Sequence, residues 1–307
     1  MTCLVPLCYY PMKKIIVDDN RTFAESILFK MHGKNFDYYE SPVEALQFLN
    51  NYQPALSKPD LLLQNNELAN SATACNLNLD ISKLKQHSLC AQDISVLFVD
   101  YCMPEMTGLE LLRRLKDLPI KKILMTAMSD DKYAIDAFNQ GLIDGYIRKG
   151  DPEIFTQVQN TCEEMENKYF TDLCQFISGM DQFYYLENIH FANFFQDYIQ
   201  EHRIKSWHLD HINGNYILRD NYDNIHHLLI RTRSQLKTLA KLAAEDGAAD
   251  IVIKQLDQGN AIPFFDKAED WEIPGNQWEA YLHPAQWING ENEILWSVPV
   301  KKLIKAA

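Results

Sequence analysis

The sequence has 307 residues, of which 47% are hydrophobic and 23% charged, and a net charge of −13. This composition is ordinary for a globular protein long enough for two domains, and no run approaches the ~18 apolar residues of a membrane span. The N-terminus lacks the order of a signal peptide, and seven scattered cysteines form no CxxC pair. We therefore expect a cytoplasmic protein with reduced thiols and no membrane partner. Met1 and Met12 are both candidate start sites, because KKIIVDDN follows Met12 directly.

Residues 13–150 alternate short apolar runs with helical patterns, which is typical of βαβ units. The predicted strands are Lys14 to Val17, Phe36 to Tyr39, Ile94 to Val99, Lys122 to Met125 and Gly145 to Ile147. The predicted helices lie near Arg21 to Met31, Pro42 to Asn51, Gly108 to Lys116 and Asp131 to Gln140. Right-handed crossovers would place helices on both faces, so we expect an α/β fold with a five-stranded doubly wound parallel sheet.

An Asn-rich stretch interrupts this alternation between Tyr52 and Asp93. It contains QNNELANSATACNLNLD and one candidate short helix, Ile81 to Leu89. We interpret residues 53–93 as an insertion into a first domain that spans residues 1–150.

Polar side chains follow four of the predicted strands. Asp18 and Asp19 come directly after the first strand, and Asp100 ends the apolar run ISVLFVD. Open α/β sheets bring the carboxyl ends of their strands to one edge, so these acids are expected to lie together. Clustered carboxylates repel unless a cation lies among them, and such oxygen ligands suit Mg²⁺. Thr126 and Lys149 add a hydroxyl and an ammonium group, as phosphoryl transfer requires.

In these five positions and their order, the sequence resembles the receiver domain of bacterial two-component response regulators, over about residues 13–150. The resemblance implies a flavodoxin-like fold in which Asp100 accepts a phosphoryl group from a sensor histidine kinase. It also implies a Mg²⁺ site formed by Asp18, Asp19, Asp100 and the backbone carbonyl of Cys102.

The same resemblance implies roles for residues near the phosphoacceptor. Lys149 would pair with the phosphoryl group, Thr126 would move toward it, and Tyr146 would be the switch aromatic that turns inward. The domain would then be no enzyme in the usual sense, since it would catalyse only its own phosphorylation and dephosphorylation.

Three features depart from the family pattern. Gly150 replaces the usual proline after the lysine, so a cis peptide bond is not expected there. The insertion lengthens the chain between Asp19 and Asp100 by about 40 residues, which puts the second helix and nearby kinase docking in doubt. Cys102 and Met128 occupy the two positions that tune hydrolysis of the acyl phosphate in this family. Neither side chain orients a water well, so we expect a long-lived phosphorylated state.

Residues 151–203 are predicted to form an acidic, aromatic-rich helical linker. Residues 151–202 contain 10 acidic residues and 1 basic residue, which favours a solvated surface or a docking surface for a basic partner. The aromatic stretch favours a buried core and is compatible with a dimer interface. Residues 204–307 are predicted to form a small α+β domain, with a hairpin around Asn213-Gly214.

The output of this second domain has more than one interpretation. No GGDEF-like or EAL-like signature, HD metal pair or P-loop occurs, so we expect a noncatalytic interaction or dimerisation domain, with a downstream protein partner and a homodimer as candidate assemblies. The alternative is a DNA-binding regulator with a divergent helix-turn-helix near residues 234–258. Acidic and apolar residues on its second helix disfavour a nucleic-acid partner.

Several histidines near the predicted hairpin suggest a second metal site. In a strand, His208 and Asp210 share a face while His211 lies opposite, so the apparent HxxH is not a ligand pair. We interpret these histidines as surface or sheet-edge residues.

Overall fold

The computed structural model describes residues 4–32, 35–54, 81–87, 93–127, 132–211, 213–265, 273–288 and 293–299. Within these ranges, the strands in chain order are β1 Cys8–Tyr9, β2 Lys13–Val17, β3 Phe36–Tyr39, β4 Ile94–Asp100, β5 Lys121–Thr126, β6 Gly145–Arg148, β7 Ile204–His211, β8 Asn215–Asp220, β9 Ile225–Thr232, β10 Ala261–Pro263, β11 Leu282–Pro284, β12 Gln286–Trp287 and β13 Ile294–Ser297. The helices are α1 Arg21–Lys30, α2 Pro42–Asn51, α3 Ile81–His87, α4 Gly108–Arg114, α5 Lys132–Asn139, α6 Ile154–Leu173, α7 Ile189–Glu201, α8 Arg233–Glu245 and α9 Asp250–Asp257. No helix in the described ranges is long and apolar enough to cross a membrane.

The described residues fall into two compact units whose bounds differ from the predicted domains. The α/β unit contains residues 10–54 and 93–173, and the C-terminal unit contains residues 4–9, 81–87 and 174–299. The predicted boundary at residue 150 therefore moves to the end of α6. Helix α3, which falls within the predicted insertion, lies in the C-terminal unit, where Lys85 pairs with Asp210 of β7 at 3.5 Å.

The sheet of the α/β unit has five parallel strands in the order β3-β2-β4-β5-β6, which confirms the predicted fold class. Alternate residues of the central strands enter two cores on opposite faces, as expected for a strand buried on both sides. On one face, Leu97 and Val99 belong to a core cluster with residues of α2, α4 and α5. On the other, Val96 and Phe98 belong to a second cluster with residues of α1 and α6. The sheet is therefore doubly wound, and α6 completes its second face.

The C-terminal unit is built on an antiparallel sheet in the order β1-β7-β8-β9-β13-β12. The predicted hairpin is present, and Gly214 adopts a φ of 93° in its turn. A Cβ atom at Gly214 would overlap the carbonyl oxygen of Ile230, so the position requires glycine for two reasons. The N-terminal strand β1 covers β7, so His208 lies on an interior strand rather than at the sheet edge.

The aromatic residues of α7 pack against this sheet. Phe191, Phe195 and Tyr198 are buried on one face of the helix. The ring centres of Phe195 and Trp207 lie 5.4 Å apart in an edge-to-face arrangement, and those of Phe194 and Trp296 lie 5.0 Å apart. Much of the aromatic stretch therefore serves the core of the C-terminal unit.

Candidate functional site

The carboxyl ends of two neighbouring strands bring Asp18 and Asp100 together. Val17 of β2 is paired in register with Val99 of β4, so the residue that follows each valine lies at the same edge of the sheet. One ligand oxygen from each of Asp18, Asp19 and Asp100 lies within 4.8 Å of the others. Asp18 and Asp100 are buried, with exposed fractions of 0% and 5%, whereas Asp19 is exposed.

Lys149 joins the two buried acids. Its Nζ lies 2.7 Å from Asp18 Oδ2 and 2.8 Å from Asp100 Oδ1. Its backbone N–H donates to the carbonyl of Thr126, which fixes the start of the loop after β6. The ammonium also lies 4.8 Å from the centre of the Phe23 ring, so an aromatic face covers the cation.

Burial governs the protonation of the two acids. Desolvation raises the pKa of Asp18 and that of Asp100 above the ordinary value, although the hydrogen bond and charge of Lys149 lower both. The neighbouring carboxylates raise both values further. The ionised site is therefore short of positive charge, and an added cation would relieve this repulsion.

The donor set fits a hard divalent cation. Carboxylate oxygens that converge within a few ångströms, one of them exposed to water, are the ligands that Mg²⁺ prefers, because the ion keeps several waters. Asp18 is held through both its backbone and its side chain, since Tyr38 Oη donates to its carbonyl at 2.9 Å and its Oδ1 accepts from the Asn20 N–H at 2.9 Å. Cys102 lies in the loop after Asp100 with its side chain exposed.

The remaining predicted residues lie around this edge. Thr126 ends β5 and is buried, one strand away from Asp100. Tyr146 of β6 has an exposed fraction of 39%, so its ring is partly in solvent. Met128 lies outside the described residues.

A close approach between strand and helix positions the phosphoacceptor candidate. The Gly108 N–H donates to the carbonyl of Tyr101 at 2.9 Å as α4 begins. A Cβ at Gly108 would overlap the carbonyl oxygen of Asp100 and lie 2.9 Å from Val99 Cγ1. Thr107 caps α4 and forms a capping box with Glu110. From the sequence, Gly108 was predicted only as the start of a helix, because a single glycine does not reveal which atoms approach it.

The comparison with protein families agrees with this geometry. Residues 59–159 match the family model of the response regulator receiver domain. The chain contains a response regulator receiver domain. The matched range includes Asp100, Thr126 and Lys149. Asp18 and Asp19 precede this range, and strand β2, which pairs with β4, places them at the site.

The known proteins that are similar to this chain include two response regulators. An uncharacterized response regulatory protein of Vibrio cholerae is 29% identical over 117 residues, which cover 36% of this chain and 42% of that protein. The match thus spans less than half of the Vibrio protein. The structure of the response regulator LqsR of Legionella pneumophila is 29% identical, with a TM-score of 0.79, and the match covers 97% of this chain and 90% of that one. The likeness to LqsR therefore extends beyond the receiver domain into the C-terminal unit.

A buried ion pair supports the receiver domain from the end of the sheet opposite the acids. Glu166 of α6 pairs with Lys14 of β2 at 2.5 Å and accepts from the Met12 backbone N–H at 2.9 Å. This pair was not predicted from the sequence. Glu166 follows Cys162 by four residues on the buried face of α6, and this spacing was the available signal.

The two helices that outline a helix-turn-helix pack as part of a core. Val252 and Leu256 of α9 are buried in a cluster with Leu236 and Leu239 of α8. The exposed positions of α9 include Asp250, Ile251 and Asp257, with Lys254 as the basic exception. Acidic side chains on that face would repel phosphates, so the structure gives no support to a DNA-reading role for α9.

Proposed function

We propose that the protein is a phosphorylation-activated response regulator in which Asp100 accepts a phosphoryl group from a sensor histidine kinase. The observation that carries this proposal is the contact of one ammonium group, Lys149 Nζ, with both Asp18 and Asp100 inside a cluster of three acids. A structural ion pair needs one acid and one base. Two buried acids beside one lysine leave negative charge that a metal cation can neutralise. They also leave a carboxylate oxygen that can attack a phosphoryl group.

The proposed chemistry is an in-line displacement at phosphorus. A carboxylate oxygen of Asp100 forms the new P–O bond while the P–N bond of the kinase phosphohistidine breaks. The imidazole keeps the electron pair of that bond and leaves as the neutral ring, with the proton that its other nitrogen already carries. Mg²⁺ held by Asp18, Asp19, Asp100 and the Cys102 carbonyl would neutralise charge on the phosphoryl oxygens. Lys149 would exchange its contact with Asp100 for one with the phosphoryl group.

The proposed switch connects the acyl phosphate to the surface of β6. The Thr126 hydroxyl would turn toward a phosphoryl oxygen and leave space beside β5. Tyr146, which is partly exposed in this structure, would move its ring into that space. Phosphorylation would then change the surface formed by β6 and its neighbours.

The proposed output is a noncatalytic interaction or dimerisation function of the C-terminal unit. Its helices bury their apolar faces in the unit's own core, which favours a structural scaffold over a groove-reading helix. A DNA-binding output remains the alternative. A cytoplasmic location and a downstream protein partner complete the proposal.

The transfer step is tested with purified protein, acetyl phosphate and Mg²⁺. Phosphate-affinity electrophoresis should show a shifted band for the wild type and none for Asp100→Asn. Asp117→Asn is the matched control, because Asp117 is exposed and outside the acidic cluster. A shifted band of equal intensity from the Asp100 variant would refute the proposal.

The output is tested by molar mass and by DNA binding. Light scattering on the phosphorylated and unphosphorylated chain should reveal a change in assembly, or a pull-down should show phosphorylation-dependent capture of a protein. Retardation of random duplex with steep salt dependence would instead support the DNA-binding alternative.

A further inference from the structure

The C-terminal unit contains a cleft that the proposed phosphorylation does not use. The cleft has a volume of about 270 Å³ and lies between the turn of the β7–β8 hairpin and one face of α8. Its walls include Asn213, Gln235 and Thr238, and its apolar side is formed by Leu239 and Leu242. A cleft with one apolar side and several polar groups is typical of small-molecule sites.

Among the described residues that line this cleft, Arg231 is the charged one, and it is almost completely buried, with an exposed fraction of 2%. Its guanidinium donates to three neutral oxygens, namely the carbonyls of Asn213 at 2.6 Å and Ile230 at 2.8 Å, and Asn215 Oδ1 at 2.6 Å. Among the residues that the structure describes, its Nε has no hydrogen-bond partner. No acid of the described ranges forms an ion pair with it.

This arrangement leaves a buried positive charge without a counterion in the described part of the unit. Burial lowers the pKa of Arg231 to about 10, so the guanidinium is still charged at neutral pH. Neutral oxygens satisfy hydrogen bonds but do not cancel a net charge, and an unpaired buried charge is costly. Neighbouring His211 does not compensate, because burial and the charge of Arg231 lower its pKa and favour the neutral ring.

We propose that this cleft binds a small organic anion whose carboxylate or phosphate group pairs with Arg231. A guanidinium matches such groups through two parallel N–H donors. The donors of Arg231 that remain after its contacts with Asn213, Ile230 and Asn215 are the buried Nε–H and the second N–H of Nη2. Leu239 and Leu242 would contact an apolar portion of the ligand, and Thr238 would lie at the rim. The C-terminal unit would thereby receive a chemical signal in addition to phosphorylation.

The site is tested by NMR on the full-length protein with ¹⁵N-labelled arginine. Sodium butyrate supplies a carboxylate on a short apolar chain, and inorganic phosphate supplies the alternative head group. At least one of them should shift the Arg231 Nε–H resonance with millimolar affinity, whereas sodium chloride at equal ionic strength should not. Butyrate alone would identify a carboxylate ligand, and phosphate alone a phosphorylated one.

Substitutions in and beside the cleft separate binding from folding. Thr238→Phe, which fills the exposed rim, should weaken binding at least tenfold, whereas Thr238→Ala should bind like the wild type. Arg231→Gln should abolish binding of the anion. Lys237→Gln is the charge control, because it removes a positive charge from an exposed position on α8 and should leave binding unchanged. No shift with either anion, an equal shift with chloride, or equal binding by Thr238→Phe would overturn the proposal.

Discussion

Glu166 of α6 and Lys14 of β2 form an ion pair 2.5 Å long, and both side chains are less than 10% exposed. Glu166 also lies 3.3 Å from the Ser95 hydroxyl of β4, so one carboxylate joins α6 to two strands of the receiver sheet. These contacts help to hold α6 on the receiver sheet, whereas the sequence had predicted it as part of a linker.

Glu166→Gln should therefore destabilise the receiver domain strongly. Removing one partner of a buried pair leaves the other charge uncompensated, at a cost of about 3 kcal/mol in the free energy of unfolding. Urea unfolding followed by circular dichroism measures the change. Glu163→Gln is the control, because Glu163 is exposed on the same helix and should change stability by less than about 0.5 kcal/mol. Similar losses in the two variants would contradict the role of the pair.

Gly108→Ala should destabilise the loop that follows Asp100. The new methyl group would overlap the Asp100 carbonyl, and forcing an extra carbon into a packed site costs about 1–3 kcal/mol. Gly150→Ala is a matched control, since a Cβ at Gly150 has no neighbour within 4 Å. Thermal unfolding should give a lower melting temperature for Gly108→Ala than for Gly150→Ala. Equal melting temperatures would rule out the close approach at Gly108.

Mg²⁺ should stabilise the wild-type protein through the acidic cluster. A ligand present at about 100 times its dissociation constant stabilises the native state by about 2.7 kcal/mol. The melting temperature should rise with Mg²⁺ in the wild type and in Asp117→Asn, and fall again on chelation with EDTA. Asp18→Asn should respond weakly or not at all. An undiminished Mg²⁺ response in Asp18→Asn would place the metal elsewhere.

The lifetime of the acyl phosphate should depend on the residue at position 102. The exposed cysteine cannot orient a water well, so we predict a half-life longer than seconds for the purified, Mg²⁺-supplied wild type. Cys102→Asn supplies an amide that can hold a water and should shorten the half-life about tenfold, which corresponds to 1.4 kcal/mol in the barrier. Cys102→Ala should match the wild type. The decay is followed by phosphate-affinity electrophoresis, and a wild-type half-life of seconds would refute the prediction.

The sequence predicted the receiver sheet because its strands are short apolar runs that end in chemically distinctive residues. Asp18, Asp100 and Lys149 could be placed together without any knowledge of packing, since parallel strands share one carboxyl edge. The placement of α6 was not predictable in the same way. Its helical spacing was visible, but the surface that the helix covers is shown only by long-range contacts, such as the core it shares with Phe98 and the pair of Glu166 with Lys14.

The C-terminal unit was harder to predict because its strands come from distant parts of the chain. Strand β1, Cys8–Tyr9, has two residues and no periodicity, yet it pairs with β7 almost 200 residues later. The charge of Arg231 was visible in the sequence. Its burial was not, because the buried guanidinium is stabilised by hydrogen bonds to three oxygens of the hairpin and β9. Long-range contacts of this kind leave no local pattern.

The central claim is that Asp100, among three adjacent acids, receives the phosphoryl group. The most direct measurement is reduction of the phosphorylated protein with borohydride, which converts an acyl phosphate to homoserine, followed by peptide mass spectrometry. We predict homoserine at position 100 alone, only when both acetyl phosphate and Mg²⁺ are present. Homoserine at position 18 or 19, or none anywhere after phosphorylation under these conditions, would contradict the claim.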